Sequence, residues 1–377
     1  MAIGLAGFGC VLPEGSLTQA DAASAANRLR SFEGSATEER QLQLLTALYR
    51  RSGVEKRHSV LLAAGDSHPI DRQTFYEKAH HREDRGPSTA ARMQRFAGEA
   101  PVLAEKACRQ ALAAAAMQAD QVTHLVTVSC SGFHSPGFDL EMFPRLGLRG
   151  ETARTHVGFM GCHGALNGLR VARSFVAADP KAVVLVCAVE LCTLHHQYTD
   201  DPQQIVANSL FADGAAAVVL RNEEPAAVES SPPSAPRGWL MVDSGSCLVP
   251  DSSEAMSWRI GDHGFQMTLS TQVPELIQTH LAPWLTAWLA RHQLALSDVA
   301  TWAVHPGGPR ILSATAGALA LPASALEIST AVLAQCGNMS SPTILFILER
   351  LRRLGASGPC VALAFGPGLV VEAALLR

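Results

Sequence analysis

The chain has 377 residues, of which 47% are hydrophobic and 17% charged, with a formal net charge of −4. This balance supplies a large core and excludes a disordered chain, and the weak negative charge excludes the basic footprint of a nucleic-acid binder. The length suits two ordinary domains or one duplicated one. The nine cysteines are odd in number, and Cys10, Cys130, Cys187, Cys192 and Cys360 lie inside apolar runs. That is the pattern of free thiols in a reducing compartment, so a cytoplasmic protein is expected. No CxxC pair or zinc spacing occurs, so no metal is expected, and no run of about 18 uncharged apolar residues suggests a membrane span.

Met1-Ala-Ile-Gly-Leu-Ala-Gly-Phe-Gly-Cys-Val-Leu-Pro13 lacks a basic start and reads as a glycine-rich first strand, not a signal peptide. Residues 16–60 read as helical and polar, and 61–92 as a charged loop with a short helix. An alanine-rich helix is predicted at about 98–117, a strand over His124-Leu-Val-Thr-Val-Ser-Cys130, and a loop over Ser131–Gly137. The run through Thr155 to Met160 is strand-like and breaks at Gly161. A helix then runs to Asp179-Pro180, where proline stops it. Lys181–Glu190 is apolar through its middle, as in a strand buried on both faces. Ser209–Leu220 turns from loop to buried strand, and Glu229-Ser-Ser-Pro-Pro-Ser-Ala-Pro236 reads as a linker or exposed loop. Beyond it the pattern repeats: strand at 239–243, helix at about 274–293, strand at Thr301–His305, helix at about 309–319, a helix following Asn338, and two strands joined by Gly366-Pro-Gly368. Buried strands alternating with helices in both halves predict an α/β layered fold of two similar halves, divided as 1–225 and 237–377.

Cys162 stands where the strand-like run gives way to a helix. A thiol at the first turn of a helix faces unpaired N–H groups, whose field favours the nucleophilic thiolate. His305 closes a strand and Asn338 opens a helix, both beside glycines, where side chains can project into a shared cleft. Read singly, such a cysteine is more often a packing residue and such an asparagine an N-cap. Together the three are a candidate constellation for covalent catalysis.

Several motifs then resemble one family. Gly161-Cys-His-Gly164, Leu210-Phe-Ala-Asp-Gly-Ala-Ala-Ala217, Ala303-Val-His-Pro-Gly-Gly-Pro-Arg-Ile-Leu312, Gly337-Asn-Met-Ser-Ser-Pro-Thr-Ile-Leu-Phe-Ile-Leu348 and Ala364-Phe-Gly-Pro-Gly-Leu-Val-Val-Glu372 resemble the type III polyketide synthases, the chalcone and stilbene synthase family. The resemblance implies a thiolase-type fold (layered αβαβα), a homodimer, and a Cys162–His305–Asn338 site that condenses coenzyme A thioesters without a cofactor. Cys162 would take the starter acyl group, with His305 keeping its thiolate charged. Malonyl-CoA would lose carbon dioxide to leave an enolate, and His305 and Asn338 would donate to its oxygen. Cyclisation would end the chain, with a fatty acyl starter and an alkylpyrone or alkylresorcinol product the first expectation, and an aromatic starter, or malonyl-CoA alone giving a hydroxynaphthalene, the second.

By the same resemblance Phe211 is one gatekeeper between the coenzyme A tunnel and the cavity. Met267, with Phe265 close by, takes the second gatekeeper position, a phenylalanine in the plant enzymes. The cavity wall would include Cys130, Ser131, His195 (threonine in plants), Trp258 (glycine there) and Ser340. On residue type alone Trp258 and Cys130 read equally as core packing, and His195 as surface. Ser135 aligns where the family pushes a residue into the partner's cavity, and Arg51, with Arg50 and Arg310, is expected at the phosphates of coenzyme A. Two rival readings use similar residues: a ketoacyl synthase working on an acyl carrier protein, and a non-catalytic acyl-CoA-binding subunit. A papain-type hydrolase lacks its local cysteine signature here.

Overall fold

The computed structural model describes residues 2–30, 36–223 and 238–377, so the expected linker at 229–236 lies outside the described residues. The first half contributes strands β1 (Ala2–Val11), β2 (Ser16–Thr18) and β3 (Lys56–His58), with helices α1 (Gln19–Arg30) and α2 (Ala36–Arg50) between the last two. It continues with α3 (Thr89–Ala114), β4 (His124–Ser129), α4 (Phe138–Leu146), β5 (Ala153–Gly158), α5 (Gly164–Ala178), β6 (Val183–Leu191), α6 (Pro202–Leu210) and β7 (Asp213–Glu223). The second half runs β8 (Trp239–Leu248), β9 (Met256–Gly261), β10 (Gly264–Leu269), α7 (Val273–Ala290), β11 (Thr301–Val304), α8 (Pro309–Ala318), α9 (Glu327–Cys336), α10 (Pro342–Arg353), β12 (Cys360–Gly366) and β13 (Val370–Leu376).

Nine strands form one mixed sheet in the order β11-β12-β13-β8-β1-β7-β6-β4-β5. The halves meet where β1 pairs antiparallel with β8, Gly4 opposite Leu240 and Leu5 opposite Trp239. Outward from that seam each half repeats one pattern. β1–β7 and β7–β6 are antiparallel and β6–β4 parallel; β8–β13 and β13–β12 are antiparallel and β12–β11 parallel.

Alternation along the strands builds the layers. In β12, Cys360, Ala362 and Ala364 join the central core with α5 and α10, whereas Val361, Leu363 and Phe365 face the outer core with α7 and α8. In β6, Val184, Val186 and Ala188 face the central core, and Leu185, Cys187 and Val189 face α3. The central helices are buried all round, as apolar cylinders enclosed by sheet must be: every residue of Gly164–Leu169 and of Pro342–Glu349 is buried. The result is the helix–sheet–helix–sheet–helix layering of a thiolase-type fold.

Several elements depart from the sequence reading. The alanine-rich helix starts at Thr89, not at about 98. Helices α6 and α9 and the β9–β10 hairpin have no counterpart in it. β5 is an exposed sheet edge, with only alternate residues partly covered.

Candidate active site

The carboxyl ends of the parallel strands of both halves converge, the usual place for a site in α/β sheets. Cys130 follows β4, Cys162 follows β5 by a short 3₁₀ turn (Gly161–His163), Cys192 follows β6, His305 follows β11, and Pro367 follows β12. The turn ahead of Cys162 depends on Gly161, with φ +71° and Pro367 Cδ 2.5 Å from where a Cβ would stand. A side chain there would collide with the turn that closes the site.

Cys162 opens on a small cavity lined also by Cys130, Phe211, Met256, Trp258, Met267, Ser340 and Pro367. Its sulfur accepts the Ser340 hydroxyl at 3.6 Å, and the Cys130 sulfur lies 3.2 Å from the same oxygen. Ser340 has one proton, so when it donates to Cys162 the Cys130 thiol is the donor to Ser340. Burial holds Cys130 well above the usual thiol range, which keeps that donor protonated. Asn338 is fixed by its Oδ1, which accepts the Ser340 N–H at 2.8 Å. Its side-chain NH₂ is near enough to Cys162 to favour the thiolate. A one-residue parallel bridge ties Asn338 to Phe211, through Asn338 N–H to Leu210 O and Ala212 N–H to Asn338 O, both 2.9 Å.

His305 is buried and held by its own N–H to Leu363 O at 2.8 Å, while both ring nitrogens have no partner among the described residues. Burial, with the charge of nearby His163 second, brings this imidazole down to about 3. Cys162 is half-buried. Loss of water pushes its thiol up to about 11, Glu190's charge adds to this, and the bonds from Ser340 and Asn338 pull it back. Burial thus works against the expected thiolate and imidazolium, while the Ser340 and Asn338 side chains favour the thiolate.

The floor of the site is a buried carboxylate that the sequence reading missed. Glu190 accepts the N–H groups of Cys130 and Ser131 at 3.0 and 2.9 Å and the hydroxyls of Ser131 and Ser341 at 2.5 and 2.6 Å. Ser131 is thus corrected from wall to anchor: its hydroxyl donates to Glu190 and accepts from Leu191 N–H at 2.9 Å, and it lines neither cavity described here. Arg57 is a second unforeseen anchor. It is buried and donates to Asn208 O at 2.7 Å and to Phe211 O at 2.9 Å, fixing the end of α6 and the Phe211 backbone.

A larger cavity adjoins the first and shares Cys192, Phe211, Trp258 and Met267 with it. The hairpin explains that partition. Trp258 and Met267 are direct cross-strand partners, and Phe265, two residues from Met267, takes the same face. Trp258 is pinned by its indole N–H to Cys130 O at 2.8 Å. His195 stacks on Phe265 at 4.1 Å, with Nε2 2.6 Å from Ser131 O and Nδ1 accepting Phe265 N–H at 3.0 Å. Both its nitrogens are engaged and burial brings it to about 3, so it is a neutral strut on the larger cavity, not a wall of the Cys162 cavity. Met267 borders both cavities and Phe265 only the larger one.

Two family models match the chain: chalcone and stilbene synthases, N-terminal domain, over residues 2–224, and the C-terminal domain of the same family over 241–377. The chain belongs to this family, the type III polyketide synthases. It is 37% identical over 279 residues to 1,3,6,8-tetrahydroxynaphthalene synthase of Streptomyces peucetius, covering 73% of this chain and 72% of that one. It is 34% identical over 296 residues to an alpha-pyrone synthesis polyketide synthase-like protein of Mycobacterium tuberculosis, covering 77% and 74%. The crystal structure of PKS-I from the brown alga Ectocarpus siliculosus superposes with a TM-score of 0.89 at 29% identity, over 100% of this chain and 98% of that one. Like its relatives, this type III polyketide synthase is a condensing acyltransferase, and no helix among its described residues is long and apolar enough to cross a membrane.

The expected coenzyme A residues Arg50, Arg51 and Arg310 are all exposed, and none forms an ion pair among the described residues. Gly53 lies against Pro309, its would-be Cβ 2.8 Å from the ring, so the loop that follows Arg51 abuts the start of α8, where Arg310 stands.

Proposed function

We propose that Cys162 takes a long, apolar acyl group from coenzyme A, that malonyl-CoA decarboxylates beside His305 and Asn338, and that the enolate attacks the Cys162 thioester. Ring closure of the extended chain gives an alkylpyrone or alkylresorcinol. The observation that carries the starter class is the larger cavity. Away from the partition it is walled by Leu17, Ala22, Ala26, Leu29, Leu61 and Ile70, and burying methylenes against such a wall contributes about 0.8 kcal/mol each.

The thiol proton passes to His305 as sulfur attacks the starter carbonyl, and coenzyme A leaves as its thiol. Decarboxylation supplies the carbon nucleophile, so neither a carboxylate base nor a cofactor beyond the thioesters is needed. The Asn338 amide, with His305 once its site-facing nitrogen carries a proton, serves as donor to the enolate oxygen, and Arg50, Arg51 and Arg310 as contacts for coenzyme A phosphates. Purified protein with radiolabelled malonyl-CoA and a series of short, medium and long acyl-CoA starters tests the reading. Products should appear with long starters. Preference for short, aromatic or malonyl starters would replace the starter class, and dependence on carrier-bound malonate would replace the reaction.

The working unit in this proposal is a homodimer in the cytoplasm, each chain divided as 1–225 and 237–377. Exposed β5 ends the sheet, and Phe133, Leu140, Phe159 and Met160 are exposed around it, 37–49% each. An apolar open edge of this kind invites a second copy, and the exposed Ser135 lies in the same loop region. Sedimentation of wild type and Phe159→Glu checks it: a dimer should become a monomer.

A further inference from the structure

His163, the residue after the nucleophile, is buried, and its environment fixes its tautomer. Asn167, four residues on along the first turn of α5, donates its Nδ2 to Glu372 Oε1 at 3.0 Å. Glu372 is itself buried and also accepts Arg170 at 2.7 Å and Ser246 at 2.9 Å, so it is a charged acceptor and Asn167 must present its NH₂ to it. The Asn167 Oδ1 therefore faces the other way, to His163 Nδ1 at 2.7 Å. A carbonyl oxygen only accepts, so Nδ1 carries the proton and Nε2 of the neutral ring is bare. That Nε2 is buried and has no partner among the described residues, and the same holds for both ring nitrogens of His305.

The two imidazoles lie near enough that protonating His163 would hold His305 down. Both rest on β12: His305 through Leu363 O, and His163 against Gly366, where a Cβ would collide with Cδ2 and stand 2.5 Å from Nε2. Only glycine at 366 leaves the bare edge of His163 in this place.

We propose that His163 is the positioning residue of His305: its bare Nε2 accepts the His305 N–H, leaving the other His305 nitrogen free to take the Cys162 thiol proton. When sulfur gives up that proton, His305 becomes imidazolium. Its second N–H then points at an acceptor backed, through Asn167, by the Glu372 carboxylate. Catalytic contacts of this kind are commonly loose before substrate binds and tighten on acylation. The role rests on Cys162 being the nucleophile.

The test is the rate of Cys162 alkylation by iodoacetamide as a function of pH, which needs no thioester and so stands apart from the choice of starter. His163→Phe removes the acceptor, and its profile should shift by about one unit to higher pH with a loss of about tenfold in acyl loading. His163→Gln keeps an acceptor and should restore most of both. An alkylation profile for His163→Phe that overlays wild type overturns the proposal, whatever happens to turnover. If His163→Phe fails to fold, judged by its thermal melt, Asn167→Ala frees the tautomer and should shift the profile in the same direction; an unshifted profile there overturns it equally. Labelling that survives in Cys162→Ala would instead remove the nucleophile assignment.

Discussion

Removing the indole of Trp258 should change what the enzyme makes more than how well it folds. The side chain borders both the Cys162 cavity and the larger one and stands between them. It packs edge-on to His195 at 5.6 Å and Phe265 at 5.8 Å, tilts on Phe211 at 5.7 Å, and donates to Cys130 O at 2.8 Å. Trp258→Ala leaves that carbonyl without its donor and merges the cavities. Burial of a full tryptophan is worth about 3–5 kcal/mol; because one face already borders open space, about 3 kcal/mol is expected here. Trp258→Phe keeps the partition and loses only the hydrogen bond, about 1 kcal/mol. The assay is the product distribution by liquid chromatography and mass spectrometry across starters of increasing length, with melting temperature alongside. Trp258→Ala should accept bulkier starters or add further malonyl units, and Trp258→Phe should keep the wild-type pattern at a slightly lower melting temperature. An unchanged distribution in Trp258→Ala, in a folded protein, would refute the partition.

Asn338→Ala should lower carbon dioxide release from malonyl-CoA by about 10² to 10³ while Cys162 still loads its starter, since the amide is aimed at developing charge and does not form the thioester; equal losses in both steps would contradict this. Burial lowers His58, His156, His163, His195, His196 and His305 below the ordinary histidine value. A lowered folded pKa means the unfolded chain binds protons first, so stability falls as pH drops through about 6.5 towards about 3. Glu190 and Asp213, raised by burial, act in the opposite sense but are fewer. Thermal melts at about pH 7.5 and about pH 5 should show the lower midpoint in acid, and a flat or rising midpoint would refute the sign. Replacing Arg51 and Arg310 together by alanine should raise KM for acyl-CoA about tenfold with little change in kcat, and the wild-type KM should rise with salt.

The proposed catalytic residues stood out in sequence because each sits in a family-like motif at a junction that local chemistry marks. Cys162 lies between a strand and a helix and is bracketed by Gly161 and Gly164, His305 ends a short apolar strand before Pro306-Gly-Gly-Pro309, and Asn338 follows Gly337. Buried strands such as β6 and β12 announced themselves by unbroken apolar runs. What could not be read were contacts made across the fold. Glu190 ends an apolar strand and looks like its solvent-facing cap; only the approach of Cys130, Ser131 and Ser341 makes it a buried acceptor. Arg57 looks like one more surface charge in a basic stretch, yet it is buried on carbonyls of Asn208 and Phe211. The β9–β10 hairpin turns at Asp262-His263 with Arg259 and Gln266 on one face and Met256, Trp258, Ile260, Phe265, Met267 and Leu269 alternating onto the other; the alternation stands in the sequence, but each run is only three apolar positions long and the sequence reading passed over it. His163 could have been suspected from the spacing of His163 and Asn167 on one helix face, but its tautomer depends on Glu372, far away in sequence.

Incubation with a long-chain acyl-CoA alone, followed by intact mass and peptide mapping, bears most directly on the role given to Cys162. The account predicts one acyl group per chain, carried on the peptide containing Cys162 and absent from Cys162→Ala. An acyl group found on Cys130 or another thiol, or none at all in protein that still makes product, would contradict it.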